Sequence, residues 1–422
     1  MKTPTSAGQL ASRVVHLLRL LPLVLVVSVL SGSASALFLV ALEQVTRLRF
    51  AHPWLLYLLP LGGPLIVWLY RRWGSGSERG TNLILDEIHQ PGGGVPFRMA
   101  PLILGTTLLS HLLGGSVGRE GTAVQRGGAI AGGFLDGFRI PKFLHQPVLL
   151  AGVAAGFGSI FGTPLAGAVF ALEVLTRGRL VSEALIPCLI AALVGDFTCT
   201  AWGVHHTRYA IAAIESPSRF SFGHLDLLLL GKAGAAAIAF GLAAALFVWT
   251  SHQVHHIFVT RVRQVWLRPL LGGLGVILLT GILGDRSYLG LGVTSPNAGD
   301  VTLVSCFHEG GAFPWSWLWK LILTALTLGS GFKGGEVTPL FFIGAALGTA
   351  LGVVFGVPAD WLAGLGMVAV FAAASHTPLA CTLMGIELFG AGPAVYLAMA
   401  CTVAAYVSGP GGIYSAQRPP QS

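Results

Sequence analysis

Long apolar stretches without any Asp, Glu, Lys or Arg alternate with short polar segments along the 422 residues of this chain. A membrane-spanning helix needs roughly 18 or more such residues, and the bilayer core holds no water to satisfy backbone N–H and C=O groups. We therefore expect the stretches to be helices that cross a membrane, the longest holding more than one segment. They cover residues 20–42, 53–70, 99–118, 143–172, 233–250, 337–359, 361–386 and 388–417.

Two further apolar runs, 184–195 and 321–332, hold only 12 residues each. They are too short to span a bilayer, so we expect half-helices or re-entrant segments of the kind that line transporter sites. The whole pattern predicts an all-α, polytopic membrane protein.

Lys2, Arg13 and Arg19 precede the first apolar run, which also fits the start of a secretory signal. The run 20–42 is longer than the apolar part of a signal, about 7–15 residues, and many more runs follow. We interpret it as a first span with a cytoplasmic N-terminus. The positive residues after the second run support an in–out–in start and are Arg71, Arg72 and Arg79.

The composition agrees with a membrane location. Hydrophobic residues make up 54% of the chain and charged residues 10%, with a mean hydropathy of +0.75. A soluble domain carries about 25% charged residues, so this chain has too little charge for a water-facing surface. The net charge of +8 suits loops beside anionic lipid. No basic helix or aromatic platform accompanies it, which argues against nucleic-acid binding.

Cysteines and histidines give no sign of a metal or cofactor. The five cysteines are scattered without CxxC spacing and are interpreted as small packing residues. His252, His255 and His256 cluster at one helix end and could suggest a metal site, but no carboxylate lies near them in sequence. An interfacial helix end is the better interpretation, and no metal or cofactor is expected.

Two motif pairs recur at nearly one spacing. Gly-Arg-Glu-Gly-Thr at 118–122 is echoed by Gly-Gly-Glu-Val-Thr at 334–338, an offset of 216. Thr-Pro-Leu-Ala at 163–166 is echoed at 377–380, an offset of 214, and a glutamate follows each threonine by ten residues. This indicates an internal duplication within one transmembrane domain, 1–422, with halves near 15–210 and 225–416 and no soluble regulatory domain. The offsets alone do not distinguish inverted from parallel halves.

The first candidate site is the glycine-rich break at 114–122, which holds Arg119 and Glu120. Charges at membrane depth are costly and normally line a cavity or pair with each other. A helix that starts here would direct its positive end at the gap and could bind an anion. Glu120 could occupy that place when ionised and leave it when protonated, which would link anion binding to a proton. The alternative is an interfacial Arg119–Glu120 pair at a helix end.

The second cluster, 331–339, repeats this design around Glu336. Pro339 fits the first turn of a helix, and Gly335 could bring backbone close to a ligand. The cluster is not a phosphate-binding P-loop, because the Gly-Lys-Ser/Thr order is missing. Alternatively, Glu336 is a helix-start residue stabilised by the helix dipole.

Two weaker signals stand elsewhere in the chain. Thr81 and Asn82 follow Gly80 and could donate hydrogen bonds to a small anion, although an ordinary helix N-cap explains them as well. Tyr414 offers a phenolic donor near the C-terminus, and the alternative for it is an anchor at the membrane interface.

Taken together, these segments resemble the CLC family of anion channels and anion/proton antiporters from about residue 15 to 416. Segment 80–83 corresponds to the family's Gly-Ser-Gly-Ile-Pro, and 118–121 matches its Gly-Lys/Arg-Glu-Gly. Segment 334–339 resembles Gly-Gly-x-Phe-x-Pro, with Val337 in place of phenylalanine. The resemblance implies a CLC-type fold with two inverted halves, discontinuous helices that meet at a midplane anion site, and a homodimer with one pore per subunit.

The resemblance also implies roles for individual residues. Glu120 would be the gating and proton-coupling glutamate, and Glu336 a second proton or anion-site carboxylate. The implied anion-binding residues are Gly80, Thr81, Asn82, Gly118, Arg119, Gly121, Thr122, Gly335, Val337, Thr338 and Tyr414.

Three departures from chloride-type members indicate the branch. Thr122 replaces the usual proline, Val174 replaces the second glutamate of a Glu-Glu pair, and Glu336 and Thr338 stand where apolar residues are common. This combination resembles the fluoride-exporting branch of bacterial CLC proteins. The resemblance implies fluoride export coupled to proton import across the bacterial cytoplasmic membrane.

Fluoride is small and strongly hydrated, so its site must replace water with strong hydrogen-bond donors. Fluoride also enters cells as neutral HF and ionises inside, so coupling its export to proton import benefits the cell.

The nearest alternative is a chloride-type CLC exchanger or channel. An intramembrane enzyme would use the Gly-x-Ser-x-Gly match at 114–118, which lacks the strand–turn–helix setting of hydrolases. A scaffold without transport would leave the two glutamates in glycine-rich breaks unexplained.

Overall fold

The computed structural model of the protein describes residues 6–212, 221–222 and 225–419. Fifteen α-helices account for most of these residues, which confirms the prediction of an all-α protein. The only strands in those ranges are Ser221–Phe222 and Leu225–Asp226, which form a short antiparallel pair. The helices are α1 (Ser6–Ala51), α2 (Leu59–Trp73), α3 (Thr81–His89), α4 (Met99–Leu112), α5 (Glu120–Gly137), α6 (His145–Phe161), α7 (Pro164–Glu173), α8 (Leu185–Ala201), α9 (Leu227–Arg261), α10 (Leu267–Leu283), α11 (Ser316–Gly329), α12 (Val337–Phe355), α13 (Ala359–Ser375), α14 (Pro378–Phe389) and α15 (Ala394–Val407).

Six stretches of helix are long and apolar enough to cross a membrane among the described residues. Seven further apolar helices have only 10–17 residues. The spans are Leu20–Ala51, Pro53–Trp73, Lys142–Phe161, Ser182–Ala201, Leu227–Arg261 and Val337–Phe355.

Several predicted spans are therefore wrong in length. The run 361–386 breaks into α13 and α14 at His376, which adopts a left-handed conformation (φ 54°) two residues before Pro378. The run 388–417 is helical only over α15, between glycines with positive φ at 390 and 409. The helix in 99–118 ends at Leu112, shortly before Gly114 (φ 84°).

The two short runs have different outcomes. The run 321–332 lies mostly in α11, a helix of 14 residues, as expected for a segment too short to span. The prediction for 184–195 is wrong, because α8 continues through Asp196 and, with the preceding 3₁₀ turn Ser182–Ala184, reaches 20 residues. A single carboxylate does not interrupt a helix when a partner lies nearby, and His206 Nε2 lies 3.6 Å from Asp196 Oδ1.

The two halves are inverted relative to each other. Glu173 ends α7, and its carboxylate accepts hydrogen bonds from the N–H groups of Leu379 and Ala380 in the first turn of α14 (3.0 and 2.8 Å). Glu387, near the end of α14, makes the same contact with the first turn of α7 at 2.8 Å for both bonds. Each helix thus ends where its counterpart begins, so α7 and α14 run antiparallel. The helices α7 and α14 are equivalent elements of the repeat. Because they run antiparallel, the two halves are related by a two-fold axis, and one half is inverted relative to the other.

The core lies where α5, α6, α12 and α13 pack together. Most side chains of these helices are buried on every face. Small residues permit the close approach: a Cβ on Gly156 in α6 would stand 2.5 Å from the Ala123 carbonyl oxygen in α5. The starts of α5 and α12 are thereby fixed in the centre of the protein.

Candidate functional site

The starts of α5 and α12 are joined by a pair of backbone hydrogen bonds. Gly118 and Gly335 each donate an N–H to the other's carbonyl oxygen, at 2.6 and 2.8 Å. Neither residue has room for a side chain: a Cβ on Gly335 would lie 2.8 Å from the Gly121 nitrogen. The two glycine motifs therefore meet across the interface between the halves, and the positive ends of both helices face the same region.

Glu120 is the first residue of α5, and its side chain is fully buried. One carboxylate oxygen accepts the backbone N–H groups of Thr338 and Arg119, both at 3.0 Å. The other oxygen accepts the Thr338 hydroxyl and, at 3.2 Å, Nε of Arg119. The Glu120 carboxylate thus occupies an anion-binding site at the start of α12. The predicted Arg119–Glu120 pair is present, and it belongs to this buried cluster.

A cavity of about 690 Å³ lies on one side of Glu120. It is lined by Glu43, Arg47 and Phe50 at the end of α1, and we call it the outer cavity because the predicted topology places that end outside. A narrow space continues from it to Glu120, walled by apolar side chains such as Phe161 and Phe341 and by polar ones.

A second cavity of about 200 Å³ begins at the segment that follows α2, and we call it the inner cavity because the predicted topology places that segment inside. It contains most of the residues predicted to handle the anion or proton. Those residues are Gly80, Thr81, Asn82, Gly121, Gly335, Glu336, Val337 and Tyr414. Glu120 therefore lies between two cavities that begin at opposite faces in the predicted topology.

Glu336 and Tyr414 lie together in the inner cavity. Glu336 is the residue immediately before α12, and Tyr414 is 5% exposed, its ring edge-on to Phe170 at a centroid distance of 6.2 Å. The Asn82 side-chain oxygen accepts the N–H of Ala416 at 3.0 Å, which holds the C-terminal segment beside this cavity. Gly80, with φ 59°, is the residue before α3, so Thr81 and Asn82 occupy its first turn.

Two of the predicted anion-binding residues, Thr122 and Gly118, line neither cavity. The Thr122 hydroxyl lies 2.9 Å from the Thr107 hydroxyl and joins α5 to α4. The Gly118 N–H is used in the pair with Gly335. Any contact of Thr122 with an anion would have to come from its backbone at the start of α5.

Sequence reasoning missed several cavity residues. Gln125 and Lys333 line the inner cavity, and the Lys333 ammonium lies 4.6 Å from the Tyr70 ring centroid. Lys333 lies within the second glycine-rich cluster, 331–339, so the sequence could have indicated it as a site residue. His206 and Thr207 line the route to Glu120 from outside, and nothing in their local sequence marks them.

The contacts of Ser116 do not support a serine hydrolase. Its hydroxyl donates to the Tyr288 carbonyl oxygen at 3.0 Å and lies 2.9 Å from the Thr324 hydroxyl. Within the described ranges it thus has no histidine partner to act as a base. His252, His255 and His256 are exposed on α9, and no group of three or more potential metal-binding side chains occurs in the same ranges.

Inverted helical halves that hold a buried carboxylate between two opposed cavities define a membrane transport protein of the channel and antiporter type. The chain belongs to the voltage gated chloride channel family, whose sequence pattern matches residues 62–409. The predicted resemblance to CLC proteins is confirmed.

Similar proteins cover nearly the whole chain. A "Chloride/fluoride channel protein" of Pseudomonas syringae pv. tomato is 46% identical over 398 residues, 93% of this chain and 84% of that protein. The structure described as "Crystal structure of a CLC-type fluoride/proton antiporter" is 33% identical, with a TM-score of 0.89, and the match covers 96% of this chain and 98% of that one. A "slow cyanobacterial Cl-/H+ antiporter" has a TM-score of 0.77 at 21% identity over 92% and 94% of the two chains, which shows the shared fold alone.

Proposed function

We propose that the protein is a secondary active anion transporter that exports fluoride in exchange for protons. The observation that carries the proposal is the Glu120 carboxylate, which is held at the start of α12 by the N–H and hydroxyl of Thr338. Fluoride and the carboxylate need the same donors, so they compete for one place. Protonation removes the charge of the carboxylate, which weakens its bonds to Thr338 and frees the place for the anion.

The choice of fluoride over chloride rests on the second motif and on the relatives. Thr338 adds a hydroxyl donor to the backbone N–H, and a small anion with high charge density gains most from strong donors at short range. The similarity to a fluoride/proton antiporter and to a chloride/fluoride channel protein supports the same choice. A chloride-type exchanger or channel is the second candidate.

We assign the inner proton step to Glu336. The alternative carboxylate, Glu173, caps α14 with both oxygens, and the next residue, Val174, is apolar and buried. Glu336 instead lines the inner cavity with Tyr414, next to the helix that binds Glu120. A proton accepted from the outside by Glu120 is then released toward the inside through Glu336.

The assembly is part of the proposal. One transmembrane domain, with halves near 15–210 and 225–416, forms one pore in a lipid bilayer, and two copies form a homodimer in the bacterial cytoplasmic membrane. The ligands are fluoride, with chloride as a weaker alternative, and protons. No cofactor, metal or nucleic acid takes part.

Selectivity in liposomes tests the proposal. Purified protein is reconstituted with equal fluoride and chloride inside, and efflux of each anion is recorded with selective electrodes. We expect fluoride efflux to exceed chloride efflux by tenfold or more, roughly the effect of one charge-assisted hydrogen bond. Chloride efflux as fast as fluoride efflux would support the chloride-type candidate instead.

A further inference from the structure

His206 stands at the junction between the outer cavity and the narrow space that reaches Glu120. Four residues line both spaces: Arg119, His206, Thr207 and Val293. Histidine is the only one of these residue types whose charge changes near neutral pH. A proton that moves from the outer cavity to Glu120 thus passes one group suited to carry it.

Asp196 on α8 is placed to hold the charged imidazole. His206 Nε2 lies 3.6 Å from Asp196 Oδ1, and neither atom has a hydrogen-bond partner among the described residues. This separation is too long for a hydrogen bond and short enough for an ion pair. The ring also lies against Gly162, where a Cβ would stand 2.6 Å from Cδ2, at the C-terminal end of α6. The negative end of that helix favours a cation at this position.

The other charges around His206 are few. Arg119 and Glu120 face it from the start of α5, and Glu43 and Arg47 line the outer cavity at the end of α1. Glu387 on α14 lies close enough to Asp196 to interact with it electrostatically, and His205 precedes His206 in the chain. Arg119 opposes a charged imidazole, whereas Asp196, Glu120 and the end of α6 favour it.

We propose that His206 is the outer proton donor of Glu120 and that Asp196 is its positioning residue; the proposal rests on the proposed exchange of fluoride for protons. A hydronium ion from the external solution gives its proton to the ring nitrogen of His206 that carries none and leaves as water, and the imidazolium pairs with Asp196 through Nε2. The imidazolium then passes one proton, directly or through one water, to the Glu120 carboxylate. The imidazole returns to its neutral form, and Glu120, now neutral, releases Thr338.

The proposal is tested with liposomes that contain fluoride, while external pH is varied from about 5 to 8, the range in which histidine titrates. His206→Gln is expected to slow coupled proton uptake and fluoride efflux about tenfold or more at the high end of this range, as for loss of a general acid. The deficit should shrink at low external pH, where hydronium ions are abundant enough to protonate Glu120 directly, and external imidazole should restore part of the rate. His252→Gln, which changes an exposed histidine on α9 that lines neither cavity nor the narrow space, should behave as the unmodified protein.

Asp196→Asn provides a second readout if His206→Gln does not fold. Without the carboxylate the imidazolium loses its counter-charge, so coupled proton uptake should fall several-fold at the high end of the pH range, while the rate at the low end should stay within about twofold. If His206→Gln folds and keeps the original rate and pH profile, or if Asp196→Asn leaves the profile in place, the relay is wrong. Failure of the unmodified protein to couple fluoride to protons would instead contradict the proposed function.

Discussion

Thr338 donates both its backbone N–H and its hydroxyl to the carboxylate of Glu120, although the two residues lie 218 positions apart in the chain. The first motif therefore supplies the competing carboxylate and two donors from Arg119, and the second motif supplies the two donors from Thr338. This division follows from the contact between the two inverted halves, which neither half could make alone.

Replacing Thr338 with valine keeps the shape and the backbone donor but removes the hydroxyl. We expect weaker fluoride binding, with initial efflux at low internal fluoride reduced about tenfold, because one charge-assisted hydrogen bond is lost. Chloride efflux should change less, so the ratio of fluoride efflux to chloride efflux should fall. Efflux measured against internal fluoride concentration checks this result.

Thr402→Val is the matched control, because Thr402 is exposed on α15 and its hydroxyl donates to the Ala398 carbonyl oxygen in the same helix. An unchanged fluoride dependence in Thr338→Val would show that the hydroxyl does not contact the anion.

Glu336→Gln should uncouple fluoride transport from proton transport. The amide can still donate and accept hydrogen bonds but carries no proton across the inner cavity, so proton uptake per fluoride should fall about tenfold. Simultaneous pH and fluoride recording gives this ratio. Glu309→Gln, in an exposed loop, removes a carboxylate without touching the site and should leave the ratio unchanged. A normal ratio in Glu336→Gln would exclude Glu336 from the proton route.

Glu173→Gln tests a structural role against a transport role. The loss of the charge weakens two hydrogen bonds at the start of α14. We expect the free energy of unfolding to drop by about 1–2 kcal/mol and proton coupling to persist. Glu387→Gln should have a similar effect at the start of α7, because the contacts are reciprocal. Thermal unfolding in detergent and the proton-to-fluoride ratio are the two measurements. Lost coupling with unchanged stability would place Glu173 on the proton route.

Much of the fold could be predicted because the bilayer restricts the choices. Uncharged runs must be helices, and the two motif pairs with Glu173 and Glu387 reveal the repeat. The lengths of the helices were less predictable, because they depend on backbone features inside apolar sequence. His376 breaks one run in a left-handed conformation, whereas Asp196 does not break α8.

The site could be predicted as far as its motifs extend. Glycines around Glu120 and Glu336 indicate helix starts aimed at a gap, and the structure brings those starts together. The partner of each group could not be predicted, since Gly118 bonds to Gly335 and Thr122 to Thr107 only after the chain folds. His206 is the clearest case, because only the tertiary structure brings it to the same narrow space as Glu120.

The most direct test of the central claim is uphill transport. Liposomes are prepared with equal fluoride on both sides and a lower pH outside, and internal fluoride is followed after the gradient is imposed. If Glu120 couples the two ions, protons that move inward should drive fluoride outward against its own gradient, and Glu120→Gln should abolish this movement. Fluoride that never moves uphill in the unmodified protein, or that moves equally in Glu120→Gln, would contradict the account.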